Sequence, residues 1–304
     1  MRIGSLCTGY GGLDIAVEAY FDAETVWTCE FDKHASKVIE AHFDVPNHGN
    51  LKTTDWTKVE PIDILTAGYP CQPFSHAGSR KGADDERHLW PYIKEIIGIL
   101  GPRFVILENV RGHFGLGFRE VLGDLASIGY DAKWTLIRAS DVGAPHRRER
   151  LFILAYPNST RCTGTKPRRI QAKEPQHCGN NTDEYTNTDS KRCALVSYKS
   201  RAKGNQGQPQ FIASQLVQAI YNQEVPTPLD QGQLNVKFVE YMMGLPSGWV
   251  TDLDLSRAQM LKILGNGVVP QQAYRALELL HSYPQELSTG RANLWETPKI
   301  HAVD

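Results

Sequence analysis

Apolar residues in the first half of the chain fall into short dense runs separated by stretches with helical spacing. Arg2 to Leu6, Glu24 to Cys29, Ile62 to Ala67 and Phe104 to Leu107 are compact apolar runs bounded by turn residues, and they read as buried strands. Tyr130 to Ala139 and Leu151 to Tyr156 add two more. Between them, Leu13 to Tyr20, Asp32 to His42, Leu89 to Leu100 and Phe118 to Ile128 carry apolar residues at helical spacing. The spacing puts Ala35, Val38, Ile39, Ala41 and His42 on the inner side of one helix, and Tyr92, Ile93, Ile96, Ile97 and Leu100 on that of another. Strands alternating with helices predict an α/β fold built from βαβ units. Periodicity thins at Pro157. It returns at Lys237 to Met243 and Gln259 to Leu264, and Gln271 to Leu280 is a strong helix. The chain divides accordingly into a main block 1–157, a segment 158–235, a return 236–285 and a polar tail 286–304.

Composition changes this picture little. The chain has 304 residues, 41% hydrophobic and 22% charged, which fits a globular protein with ample core. No apolar run approaches a membrane span, and the N-terminus enters a strand without a signal-peptide layout. A formal net charge of -1 gives no whole-chain argument for nucleic-acid binding. Charge is uneven, however. Pro157 to Asp230 holds 10 Lys and Arg against 6 Asp and Glu, which suits a polyanion. The 6 cysteines include no Cys-x-x-Cys pair, and those near His177 lack zinc spacing, so no metal is expected and free thiols in a reducing cytosol are.

Candidate chemistry gathers where strands end. Thr8-Gly9-Tyr10-Gly11-Gly12 joins the first strand to the first helix, the opening of a nucleotide-type βαβ unit. Glu30 ends the second strand about 20 residues on, where such folds hold a ribose, and Phe31 beside it is placed to stack on a base. Pro70 and Pro73 flank Cys71, so the third strand ends by presenting a thiol on a stiffened loop. A packing cysteine needs no such frame, whereas a nucleophile needs a fixed approach. Gln72 to Arg87 is polar and unpatterned, and reads as a lid. Glu108 ends the fourth strand and points toward the same crevice as Cys71. Alternation in His146-Arg147-Arg148-Glu149-Arg150 puts Arg148 and Arg150 on one face.

With these pieces in order, the chain resembles the DNA (cytosine-5)-methyltransferases, of the compact bacterial and phage kind. The resemblance covers Arg2 to Tyr156 and about Asn235 to Leu280. Thr8 to Gly12 matches the first motif and Glu30 the ribose-binding acid. Gly49-Asn50-Leu51 stands where the family has Gly-Asp-Ile. Gly68-Tyr69-Pro70-Cys71-Gln72-Pro73-Phe74-Ser75 matches the nucleophile motif, and Glu108-Asn109-Val110 the motif with the cytosine-binding Glu. His146 to Arg150 resembles Gln-x-Arg-x-Arg with His for Gln. Met242-Met243-Gly244-Leu245-Pro246 resembles a late motif, with Lys237 where an Arg is usual. Gly265-Asn266-Gly267-Val268-Val269 matches the last motif, which packs against the cofactor site.

The resemblance implies a Rossmann-like S-adenosylmethionine-dependent methyltransferase sheet with helices on both faces, plus a small irregular target-recognition domain over 158–235. It implies S-adenosylmethionine as cofactor, held by Thr8, Gly9, Tyr10, Gly11, Gly12, Glu30, Phe31, Asn50, Leu51, Gly68, Pro70, Asn266 and Val268. It implies catalysis by Cys71, Glu108, Arg148 and Arg150: Cys71 adds to carbon 6 of a flipped cytosine, Glu108 holds ring nitrogen 3 and the amine, and the arginines hold the carbonyl at carbon 2. Gln72, Ser75, Arg87, Arg168 and Arg169 are the expected DNA contacts. Double-stranded DNA is the expected partner of a monomeric protein in the cytoplasm of a bacterium or a phage-infected cell. An RNA cytosine-5 methyltransferase and an inactive DNA-binding relative are the alternatives; intact Cys71, Glu108, Arg148 and Arg150 argue against the second.

Overall fold

The computed structural model describes residues 1–70, 89–158 and 224–281. In chain order the elements are β1 (Arg2–Leu6), α1 (Gly12–Phe21), β2 (Glu24–Cys29), α2 (Lys33–His42), β3 (Ile64–Gly68), α3 (Trp90–Leu100), β4 (Phe104–Val110), α4 (Arg111–Gly115), α5 (Phe118–Ser127), β5 (Tyr130–Arg138) and β6 (Glu149–Pro157). After the second gap come a short hairpin, β7 (Leu229–Asp230) with β8 (Gln233–Leu234), and then α6 (Val236–Met242), α7 (Arg257–Asn266) and α8 (Pro270–His281).

The six long strands form one sheet in the order β2-β1-β3-β4-β6-β5. β2, β1, β3 and β4 run parallel, while β6 lies antiparallel between β4 and β5. The order reverses at β1, whose neighbours are β2 and β3, so the carboxyl ends of these strands flank a switch-point crevice of the kind that binds ligands in open α/β sheets.

Period-two alternation sorts the sheet residues onto two faces. Ile3, Ile64, Ile106, Phe152 and Leu154 pack with Leu13, Ala16 and Val17 of α1 and with Ala273, Ala276 and Leu277 of α8. Leu65, Ala67, Val105, Leu107, Ile153 and Ala155 pack with Ile93, Ile96 and Ile97 of α3 and Val121 and Leu125 of α5. Helices thus cover both faces, as expected. A third cluster joins Ala35, Val38 and Ile39 of α2 to Met243, Trp249, Ile263 and Leu264 of the C-terminal return.

Two positions depart from the helical-spacing reading. Tyr92 is exposed, because Trp90 takes the inner place in the first turn of α3 and donates its indole N–H to Asp124 at 2.8 Å. Ala41 is exposed, because the inner stripe of α2 ends on His42, which stacks on Trp249 with ring centres 3.7 Å apart. Three strands also extend beyond the apolar run, β6 by starting at Glu149. β3 reaches Gly68 and β4 reaches Val110, because Gly68 pairs with Glu108 and Val110 pairs with Arg150. Sheet pairing therefore carries polar residues that an apolar run alone does not include.

Candidate active site

The turn after β1 needs its glycines. Gly9 and Gly11 have φ of 61° and 83°, left-handed backbone that favours glycine. At Gly12 a Cβ would lie 2.2 Å from the Val268 carbonyl oxygen, so close packing of the last motif onto the turn excludes any side chain. Tyr10 is fully buried between them. Its hydroxyl donates to the Val268 carbonyl at 2.7 Å, and its own carbonyl accepts from the Trp249 indole at 3.0 Å. The C-terminal return is thereby fastened to the turn.

Glu30 reaches back to that turn. One carboxylate oxygen accepts from the Gly9 N–H at 2.8 Å, and the other from the Asp32 N–H at 2.8 Å. Burial pushes its carboxyl up, and the backbone donors, Gly9 first, pull it down. Asn47 fixes the backbone at this point by accepting from the Glu30 N–H at 2.9 Å and donating to the Glu30 carbonyl at 3.3 Å. Phe31, the next residue, is 78% exposed. A left-handed glycine turn, an anchored carboxylate and an open aromatic face at the carboxyl ends of β1 and β2 fit a nucleoside-bearing ligand. Asn50 turns inward on its own loop, its side chain accepting from the Lys52 N–H at 3.0 Å, and Leu51 is buried.

A second cluster lies beside the crevice, where the carboxyl ends of β3 and β4 meet the start of β6. Glu108 is 6% exposed, and Arg150 Nε donates to it at 3.0 Å. Burial pushes the Glu108 carboxyl up to about 7, opposed first by Arg150 and then by Arg148. It is an acid poised near neutrality, the range in which a general acid is most useful. Gly68 faces it, with the position of a Cβ there 3.6 Å from Glu108 Oε2. Arg148 is engaged differently. Its Nη2 donates to the Gly265 and Gly267 carbonyls at 2.9 and 2.7 Å, which ties β6 to the last motif.

Of the sequence-predicted residues, the structure brings Thr8 to Gly12, Glu30 and Val268 into one contiguous rim, and Gly68, Glu108 and Arg150 into the adjoining pocket. Pro70 and Asn266 are exposed, each at the end of its described segment or helix. Cys71, Gln72, Ser75, Arg87, Arg168 and Arg169 lie outside the described residues. Among the described residues there is no group of three or more His, Cys, Asp or Glu able to hold a metal ion, and no helix long and apolar enough to cross a membrane.

Comparison with known proteins decides the family. The model of the C-5 cytosine-specific DNA methylases matches residues 1–193. The chain belongs to that family. It is 32% identical over 199 residues to the type II methyltransferase M.DsaV of Dactylococcopsis salina, covering 62% of this chain and 56% of the relative. It is 36% identical over 159 residues to the type II methyltransferase M.NgoBI of Neisseria gonorrhoeae, covering 51% and 50%. The chain spans about half the length of the curated relatives it matches. Among solved structures, a putative DNA modification methyltransferase from an E. coli prophage superposes with a TM-score of 0.56 at 18% identity, covering 93% of this chain and 100% of the other. A Spodoptera frugiperda DNMT2 variant gives 0.58 at 17%, covering 92% and 99%. These likenesses establish the methyltransferase fold.

Several residues that hold this family site together escaped the sequence reading. Glu240 is buried and accepts from the Gly248, Val250 and Thr251 N–H groups and the Thr251 hydroxyl. The signal for it was a carboxylate on the apolar stripe of α6, between Val239 and Met243. Gln272 donates to the Ile137 and Arg148 carbonyls at 2.9 and 2.7 Å, and nothing in the local sequence distinguishes it. Asn47, after Pro46 and before Gly49, had only the marks of a turn residue.

Proposed function

We propose that the protein transfers a methyl group from S-adenosylmethionine to carbon 5 of a cytosine in double-stranded DNA, through a covalent adduct of Cys71 with carbon 6 of the base. The observation that carries this reading is the buried Glu108–Arg150 pair beside the end of β3, the strand whose loop bears Cys71, with the Glu108 carboxyl near 7.

Gly9, Gly11, Glu30 and Phe31 would hold the cofactor, which supplies a methyl group on a sulfonium. The remaining lone pairs of Glu30 would accept from ribose hydroxyls, and Phe31 would offer its face to the adenine. Val268 and Tyr10 close the floor of this pocket. The target base leaves the duplex at a cost of about a few kcal/mol. Protonated Glu108 then donates to ring nitrogen 3 and accepts from the exocyclic amine, a pattern that suits cytosine and not thymine. The Cys71 thiolate adds to carbon 6, electrons move toward ring nitrogen 3, and the Glu108 proton meets them there. Carbon 5 becomes nucleophilic enough to take the methyl group. Loss of the carbon-5 proton then expels Cys71 as thiolate, and ring nitrogen 3 returns its proton to Glu108. Arg150 holds Glu108 in place and, from that position, would serve the carbonyl at carbon 2. Arg148 acts one step back, by fixing the last motif against the cofactor turn. The segment 158–235 reads the DNA sequence, with Arg168 and Arg169 among its phosphate contacts.

Bisulfite sequencing of DNA from cells expressing the protein tests the reading. We expect 5-methylcytosine at one fixed sequence. Unmethylated DNA alongside newly methylated transfer RNA transfers the same chemistry to an RNA substrate. A separate check concerns Glu30. A hydrogen bond to a charged group is worth about 1.5–3 kcal/mol, so Glu30→Ala weakens S-adenosylmethionine binding about ten- to a hundredfold and leaves DNA affinity alone. Calorimetry that finds cofactor affinity unchanged returns Glu30 to a purely structural role.

A further inference from the structure

Beside the base pocket, the carboxyl end of β4 and the amino end of β6 border an open cleft of about 750 Å³. Its walls include Arg111, Arg138, Arg147, Arg148, Arg150 and one carboxylate, Glu149. Guanidinium groups crowded this way repel one another unless an anion is shared among them.

Sheet register explains how Glu149 comes to serve two of them. Glu149 opens β6 directly opposite Arg138 of β5, so their side chains are cross-strand neighbours. The next residue, Arg150, pairs with Val110, and Arg111 follows Val110 as the first residue of α4. Arg138 Nε donates to one Glu149 oxygen at 3.2 Å, and Arg111 Nε forms an ion pair with the other at 3.0 Å. The Glu149 side chain is 18% exposed, whereas those of Arg111 and Arg138 are 71% and 56% exposed. The carboxylate is thus a base plate that holds each arginine by its inner nitrogen. Their terminal amino groups are left for another acceptor: no hydrogen bond from them occurs among the described residues. Arg148 and Arg150 are already committed, to the Gly265 and Gly267 carbonyls and to Glu108.

The geometry points to a phosphate site: Arg111 and Arg138, aligned by Glu149, together hold one backbone phosphate of the DNA strand that carries the target cytosine. This rests on the DNA-methylating reading of the neighbouring pocket. In a nucleotide, one sugar separates base from phosphate; here one side chain, Arg150, separates the pocket from the cleft. Terminal amino groups of two guanidinium forks match phosphate oxygens in geometry as well as charge. Glu149 is a positioning residue. Its own charge opposes a phosphate, so its place at the floor of the cleft is explained by the two arginines it aligns.

Salt titrations of duplex DNA binding by the whole protein test this, using fluorescence anisotropy with a labelled plasmid fragment. One phosphate contact accounts for a slope of about 0.9 in log affinity against log salt. Arg111→Gln or Arg138→Gln is expected to lower the slope by about that amount, and the double variant by little more, since both hold the same phosphate. Glu149→Gln separates alignment from charge. Removing a negative charge should tighten binding if only charge matters; loss of alignment weakens it. We expect weaker binding, with S-adenosylmethionine affinity and thermal midpoint unchanged in all four variants. Wild-type slopes in both single arginine variants, or tighter binding by Glu149→Gln, overturn the inference. Wild-type protein that binds no duplex DNA sinks both this site and the proposed function. Wild-type protein that methylates DNA while the arginine variants keep its slope sinks the site alone.

Discussion

Cys71→Ser protein binds S-adenosylmethionine as the wild type does and transfers no methyl group. The expectation follows from what each pocket touches. The proposed cofactor rim is Thr8 to Gly12, Glu30 and Val268, joined by the Gly9–Glu30 and Tyr10–Val268 hydrogen bonds. In the proposed mechanism the base chemistry depends on the thiol wholly, because carbon 5 of cytosine does not take a methyl group until a nucleophile has added at carbon 6. A thiol with an ordinary pKa of about 8.5 is a few per cent thiolate near neutrality, and a serine hydroxyl has no comparable anion. Duplex DNA containing 5-fluorocytosine supplies the complementary result. Fluorine does not leave as a proton does, so wild-type protein is trapped as a covalent complex, visible as a shifted band on a denaturing gel. The Cys71→Ser protein gives no such band. Methyl transfer by the serine variant, or a wild-type protein that never forms the shifted species, removes Cys71 from the mechanism.

Much of this arrangement was legible in the sequence because it depends on local rules. A strand, a glycine turn and a helix in succession place Gly9 and Gly11, and the second strand ends on Glu30 at the spacing a βαβ unit requires. The apolar runs located all six long strands, and the helical spacing found α1, α2, α3, α5 and α8. What escaped it depends on contacts between distant segments. The division of labour between Arg148 and Arg150 is one case. Alternation assigns both to one face, yet Arg148 lies just before β6 begins; Arg150 meets Glu108 from β4 while Arg148 meets carbonyls more than a hundred residues away. Glu149 is another. Alternation puts it on the opposite face, where it reads as part of a solvated charge run; only the register of β5 and β4 against β6 shows that it joins Arg138 to Arg111. The antiparallel setting of β6 is not written in its apolar run either, since buried strands of either direction share that pattern.

Glu108→Gln tests the acid rather than the nucleophile. The amide keeps the shape of the carboxyl, still accepts from Arg150 Nε, and still offers a donor and an acceptor to the edge of cytosine. It has no proton to give. General acid catalysis contributes about 10²- to 10⁴-fold, so kcat falls by that order while binding of the target base persists. The pH profile is the sharper readout. Burial holds the Glu108 carboxyl at about 7, above its ordinary 4.5, so the protonated acid predominates below neutrality and is lost above it. Wild-type kcat/KM therefore declines on the alkaline side with a midpoint near 7, and the Gln variant shows no such decline from this group. Stability follows the same group. Because the folded value lies above the unfolded one, its contribution is fully present below about 4.5 and is lost as pH rises through about 7. Urea denaturation at pH 5 and pH 8 should accordingly show a smaller loss of stability for Glu108→Gln than for wild type. A variant that retains both the alkaline limb and the wild-type loss of stability assigns the titration to another group and leaves Glu108 as a hydrogen-bonding residue only.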